Sequence, residues 1–104
     1  MHTPDTTSTD LHPLTADQVR LMAMFKALGN PVRLQIMGYL AANPQCITGE
    51  IVAATPLAQA TISQHLKVLR ECGLVCGVTE GAAVCYCIDQ DALAWFKAQV
   101  AGLF

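Results

Sequence analysis

The chain has 104 residues, 53% of them apolar, and a formal net charge of −2 from six basic and eight acidic residues. That length and composition suit one globular domain with a single core. No apolar run approaches the roughly 18 residues that span a bilayer, and the charge excludes a partner held by bulk positive potential, so a nucleic-acid role must rest on where the basic residues sit.

Residues 1–14, MHTPDTTSTDLHPL, are rich in Thr, Asp and Pro and lack periodicity, which predicts a mobile tail preceding a folded domain over 15–104. The tail has no basic stretch followed by an apolar one, so no secretory signal is expected and the protein reads as cytoplasmic. His2 and His12 have no other ligand types clustered with them and read as tail residues. Five cysteines, an odd number, in an intracellular chain point to thiols or metal ligands rather than a disulfide framework.

Thr15 and Gln18 have the spacing of a capping box, so a first helix is expected from about Ala16. Its stripe is Leu21, Met22, Phe25 and Leu28, and Gly29 ends it in the left-handed position that glycine favours. Met22, Met24 and Met37 follow helical spacing and read as core. Asn30-Pro31 supplies a cap and a helix-compatible first residue for a second helix to about Ala42, with Ile36, Met37 and Leu40 inward. Thr48 caps a short third helix near 49–55, and Pro56 breaks it. A fourth helix runs from about Ala58 to Cys72, closed by Gly73, and pairs with the third as a helix-turn-helix.

The fourth helix carries the most informative pattern. Ile62, Leu66 and Leu69 form a stripe at i, i+4 and i+7, while Gln59, Thr61, Ser63, Gln64 and Lys67 occupy other positions. Amides and hydroxyls with little charge suit hydrogen bonding to base edges, so this helix is expected to read DNA.

Beyond Gly73 the period changes to two. Val75–Thr79 and Val84–Ile88 read as strands joined through a Glu80-Gly81 turn. Val75, Val84, Tyr86 and Ile88 share one face, and Cys76, Val78, Cys85 and Cys87 the other. Asp89 caps a last helix with Leu93, Phe96, Val100 and Leu103 as its stripe, which needs a packing surface of the kind a partner subunit can supply. The order ααααββα is mainly α with a small β-hairpin (α+β): a winged helix-turn-helix with an added terminal helix.

The stretches ALGNPVRLQIMGYL (27–40) and TISQHLKVLRECGLV (61–75), followed by the hairpin, resemble the ArsR/SmtB family of bacterial transcriptional repressors. The resemblance spans about residues 18–100. It implies a homodimer formed through the first and last helices, bound to double-stranded operator DNA and released by a metal, metalloid or other inducer. Two-fold symmetry then sets two reading helices about 34 Å apart. Matching positions give Gln59, Thr61, Ser63, Gln64, His65 and Lys67 as the reading helix and 77–84 as the wing. Gln59, Thr61, Ser63 and Gln64 are the expected base readers, and Lys67 and Arg70 the phosphate contacts. Two departures stand out. The wing tip is Thr79-Glu80-Gly81-Ala82-Ala83 where relatives usually carry Arg or Lys, and Ala58 replaces a frequent serine cap, which removes about 1 kcal/mol of capping. Little wing contact and modest affinity are the expected consequences.

The family's sensor sites fit this chain poorly. The third-helix cysteine pair is reduced to Cys46, the last helix offers Asp91 without histidine, and the pair at the end of the reading helix has Val68 in place of one cysteine before Cys72. What remains is the hairpin. With the turn at Glu80-Gly81, Cys76 faces Cys85 and Cys87 lies diagonally, so Cys76, Cys85 and Cys87 form a candidate trigonal thiolate site for As(III) or another soft ion. The same cysteines can act instead as a redox or persulfide switch. A third reading is a winged-helix interaction module without operator binding. No nucleophile–base pair indicates an enzyme.

Overall fold

The computed structural model describes residues 11–45, 59–81 and 83–104, and the expected third helix at 49–55, its Thr48 cap, Pro56, Ala58 and Cys46 lie outside them, as does most of the expected tail. Among the described residues there are four helices and one antiparallel hairpin, in the order α1 (Ala16–Leu28), α2 (Pro31–Ala42), α3 (Gln59–Glu71), β1 (Val75–Glu80), β2 (Ala83–Ile88) and α4 (Gln90–Leu103).

The helix ends follow local chemistry. Thr15 and Gln18 close the capping box, with the Thr15 N–H donating to Gln18 Oε1 at 2.9 Å and the Gln18 N–H to Thr15 Oγ1 at 3.1 Å. Asn30 Oδ1 accepts from the amides of Val32 and Arg33 at 2.9 and 3.1 Å, with Pro31 opening α2 behind it. Gly29 departs from expectation: its φ is −76°, not left-handed. There α1 stops because Asn30 turns extended, with φ −132°, to cap the next helix. Gly73 does adopt positive φ, +91°. Its N–H donates to Arg70 O at 3.0 Å and that of Leu74 to Leu69 O at 3.1 Å, which is the Schellman arrangement closing α3.

The underside of α3 makes the core contiguous. Ile62, Leu66 and Leu69 are all buried, together with Met24 and Ala27 of α1, Ile36, Met37 and Leu40 of α2, Leu74, Val75, Ile88 and Ala92. Burying such side chains is worth about 1.5–3 kcal/mol each, so this stripe fixes the rotation of α3 and leaves its opposite face outward. On α1 the inward stripe is Leu21, Met24 and Ala27, whereas Met22 and Phe25 are 51% and 42% exposed. Two apolar stripes share that helix, and the one with Met24 and Ala27 joins the core. Phe25 instead meets Phe96 of α4 edge-on, with ring centroids 5.4 Å apart.

The hairpin pairs Cys76 with Cys87, Val78 with Cys85 and Glu80 with Ala83, so the loop begins at Gly81 (φ +62°), one residue later than expected. The pairing shifts by two residues in all, which keeps the two sets of alternating residues on their expected faces. No helix among the described residues is long and apolar enough to cross a membrane.

Candidate nucleic-acid interface

With Ile62, Leu66 and Leu69 inward, Ser63, Gln64, Lys67 and Arg70 fall at i, i+1, i+4 and i+7 on the outward side of α3, and all four are exposed. Thr61 is exposed on the flank, and Gln59 opens the helix. The sequence-expected set therefore lies on one helix, five of its members presented to solvent. Lys67, Arg70 and Glu71 border an open cleft of about 430 Å³ at the end nearest the hairpin.

His65 is different. It is half-buried, and its Nδ1 lies 3.3 Å from Arg33 Nη1. Arg33 also donates from Nε to the Ala27 carbonyl at 2.6 Å. One guanidinium thus joins the end of α1, the first turn of α2 and α3. Sequence reasoning used Arg33 only as part of a motif. Its partner is 32 residues away, and the signal available was a cation placed two residues after a capped proline.

Arg70 is not simply a free cation. Its guanidinium carbon lies 6.0 Å from the Tyr86 ring centroid, and a Cβ at Gly77 would come within 2.9 Å of its Cζ and Nε. The bare Cα of Gly77 leaves the space that the Arg70 side chain of α3 occupies against the hairpin, a role that sequence alone did not indicate.

The hairpin cysteines do not arrange as expected. Cys76 stands opposite Cys87, not Cys85. Cys85 is buried. It is disulfide-bonded, contrary to the expectation of thiols throughout, while Cys72, Cys76 and Cys87 are free thiols. Burial pushes the Cys76 thiol up, and the nearby Asp89 carboxylate and Cys87 add to the shift. Cys72 donates its thiol to the Leu69 carbonyl at 3.2 Å, which fits a packing role. Its pKa is also raised by burial, against opposing effects from backbone hydrogen bonds and Arg33. Among the described residues no three of His, Cys, Asp and Glu converge as metal ligands.

Comparison with known proteins agrees with this architecture. Residues 30–76 match the family model described as bacterial regulatory protein, arsR family. The HTH-type transcriptional regulator YgaV of Escherichia coli is 32% identical over 85 residues, covering 82% of this chain and 86% of that protein. The homodimeric winged helix-turn-helix DNA-binding domain of Mb0332 from Mycobacterium bovis, solved by NMR, is 33% identical with a TM-score of 0.64, over 81% of this chain and 79% of that one. Reduced HlyU from Vibrio cholerae is 32% identical with a TM-score of 0.62, over 78% of this chain and 85% of that one. A shared family model, sequence identity spanning most of both chains, and a common winged-helix fold lead to one conclusion: this chain belongs to the ArsR/SmtB family of transcriptional regulators.

Proposed function

We propose that the protein is a dimeric repressor that binds operator DNA through α3 and releases it when the wing cysteines change state. The observation that carries the DNA-binding part is the outward row Ser63, Gln64, Lys67 and Arg70, held over a buried stripe on a helix followed by a wing. Dimerisation is supported by the exposed apolar residues Val19, Met22 and Phe25 on α1 and Leu103 at the end of α4. Exposed apolar surface of this kind is commonly covered by a partner. The homodimeric state of the M. bovis domain points the same way.

For release, the redox reading has the better support. Cys85 already takes part in a disulfide, which removes one of the three thiolates that a trigonal soft-ion site needs. A disulfide that forms and breaks by thiol exchange is itself a two-state element, and Cys85 sits on β2, paired with β1, the strand that follows α3. A reduced form of HlyU has been solved, so the same variable is experimentally accessible in a relative. The soft-ion reading, As(III) included, is supported by Cys76 facing Cys87 directly, with Cys85 joining them only after reduction.

Band shifts on the DNA preceding the gene separate the two. Release by peroxide or polysulfide, with the Cys85 disulfide present in peptide maps of the released protein and absent from the DNA-bound one, is the result for a redox switch. Release by stoichiometric As(III), Cd(II) or Hg(II) only after reduction, and its loss in Cys76→Ser and Cys87→Ser, is the result for a soft-ion sensor. Binding unmoved by any of these contradicts both and leaves a winged-helix interaction module as the alternative.

A further inference from the structure

We propose that Arg33 is a positioning residue for DNA recognition, acting by fixing His65 of the reading helix in one tautomer. A guanidinium has only N–H donors, so the His65 Nδ1 that sits 3.3 Å from Arg33 Nη1 must accept. The ring proton is then on Nε2, and His65 retains one directed donor, of the kind a phosphate oxygen accepts. Arg33 is itself held. Its Nε donates to the Ala27 carbonyl at 2.6 Å, and its own amide donates to the Asn30 cap at 3.1 Å. Ala27 belongs to the buried core. The orientation of the His65 ring is therefore referred back through Arg33 to α1 and α2. His65 flanks the outward row of Ser63, Gln64 and Lys67, so a fixed donor there sets the register of α3 along the backbone, while the row reads bases. This rests on the repressor reading above.

The ring state is measured directly. Long-range proton–nitrogen NMR spectra of the free wild-type protein report which nitrogen carries the proton. Nε2–H alone is expected, and Nδ1–H or an average of both overturns the assignment. Arg33→Gln, with wild-type helix content, is expected to let both tautomers appear; persistence of Nε2–H alone overturns the role of Arg33.

A second comparison keeps the proposal falsifiable if Arg33→Gln fails to fold. His65→Gln carries an amide that reaches the place of Nε2, and His65→Asn one that reaches only the place of Nδ1. On a random-sequence duplex of about 30 base pairs, where phosphate contacts dominate, the Gln variant is expected to bind like wild type. The Asn variant is expected to lose about tenfold to a hundredfold, the size of a hydrogen bond to a charged group. Its salt dependence should not change, because a neutral donor releases no counterion. Equal binding by the two variants, while wild type binds, overturns this proposal alone. Absence of duplex binding by wild type overturns the repressor reading and the phosphate role with it, and the tautomer spectrum still decides whether Arg33 fixes the ring.

Discussion

Gly77→Ala probes the junction of reading helix and wing. The added Cβ would lie 2.9 Å from Arg70 Cζ and Nε and 3.3 Å from Nη1, so the guanidinium must move. What moves is the far end of a flexible exposed side chain that lies 6.0 Å from the Tyr86 ring centroid, at the outer limit of a cation–π contact. Losing that cation–π contact costs about 0.5–1 kcal/mol at an exposed site. Against it, alanine restricts the unfolded chain and returns about 0.4–1 kcal/mol where the native backbone tolerates it. The two nearly cancel, so Gly77→Ala alone should change stability by less than about 0.5 kcal/mol. In an Arg70→Ala background no guanidinium is displaced, and the same change should stabilise by about 0.4–1 kcal/mol. Thermal or urea unfolding of the four proteins at one concentration gives the coupling energy as a double-mutant cycle. A loss above about 2 kcal/mol in both backgrounds would refute the reasoning, since it would mean that Gly77 serves the hairpin backbone and not the space for Arg70.

Other outcomes follow from burial and charge. Leu69→Ala removes a fully buried side chain from under the reading helix and should cost about 2–5 kcal/mol in denaturant unfolding; a cost below about 1 kcal/mol would mean the stripe is not the anchor of α3. Cys76 holds its proton more tightly than an ordinary thiol, so its alkylation by iodoacetamide should have a pH midpoint above that of the same cysteine in the denatured chain. Because the folded pKa is the raised one, the corresponding contribution to stability is present below the unfolded value and is lost as pH rises through the folded value. Mass spectrometry of native and denatured samples across that range checks the order of the two midpoints.

Much of the fold was legible because it is written in local chemistry. Thr15 with Gln18, Asn30 with Pro31, and Gly73 each fix a helix end through atoms within a few residues. The stripe Ile62, Leu66 and Leu69 was equally plain, since its polar neighbours leave only one apolar face. Where a segment offered two solutions, the sequence could not choose. On α1 both Met22 with Phe25 and Met24 with Ala27 make apolar stripes, and packing into the shared core selects the second. In the hairpin, Gly81 serves a turn begun at either Glu80 or itself, and the choice decides whether Cys76 faces Cys85 or Cys87. The pairing of Arg33 with His65 joins segments far apart in sequence, where no periodicity reaches. The bonding of Cys85 was equally hidden, because composition speaks only to the usual state of cysteines in a compartment and not to any one of them.

The central claim, that α3 binds operator DNA, is tested most directly by titrating the wild-type protein onto the duplex that precedes its gene between about 50 and 200 mM salt. The account predicts an affinity for that duplex at least about a thousandfold above that for random DNA, falling by orders of magnitude across the salt range. Equal affinity for both duplexes, or binding indifferent to salt, would contradict it.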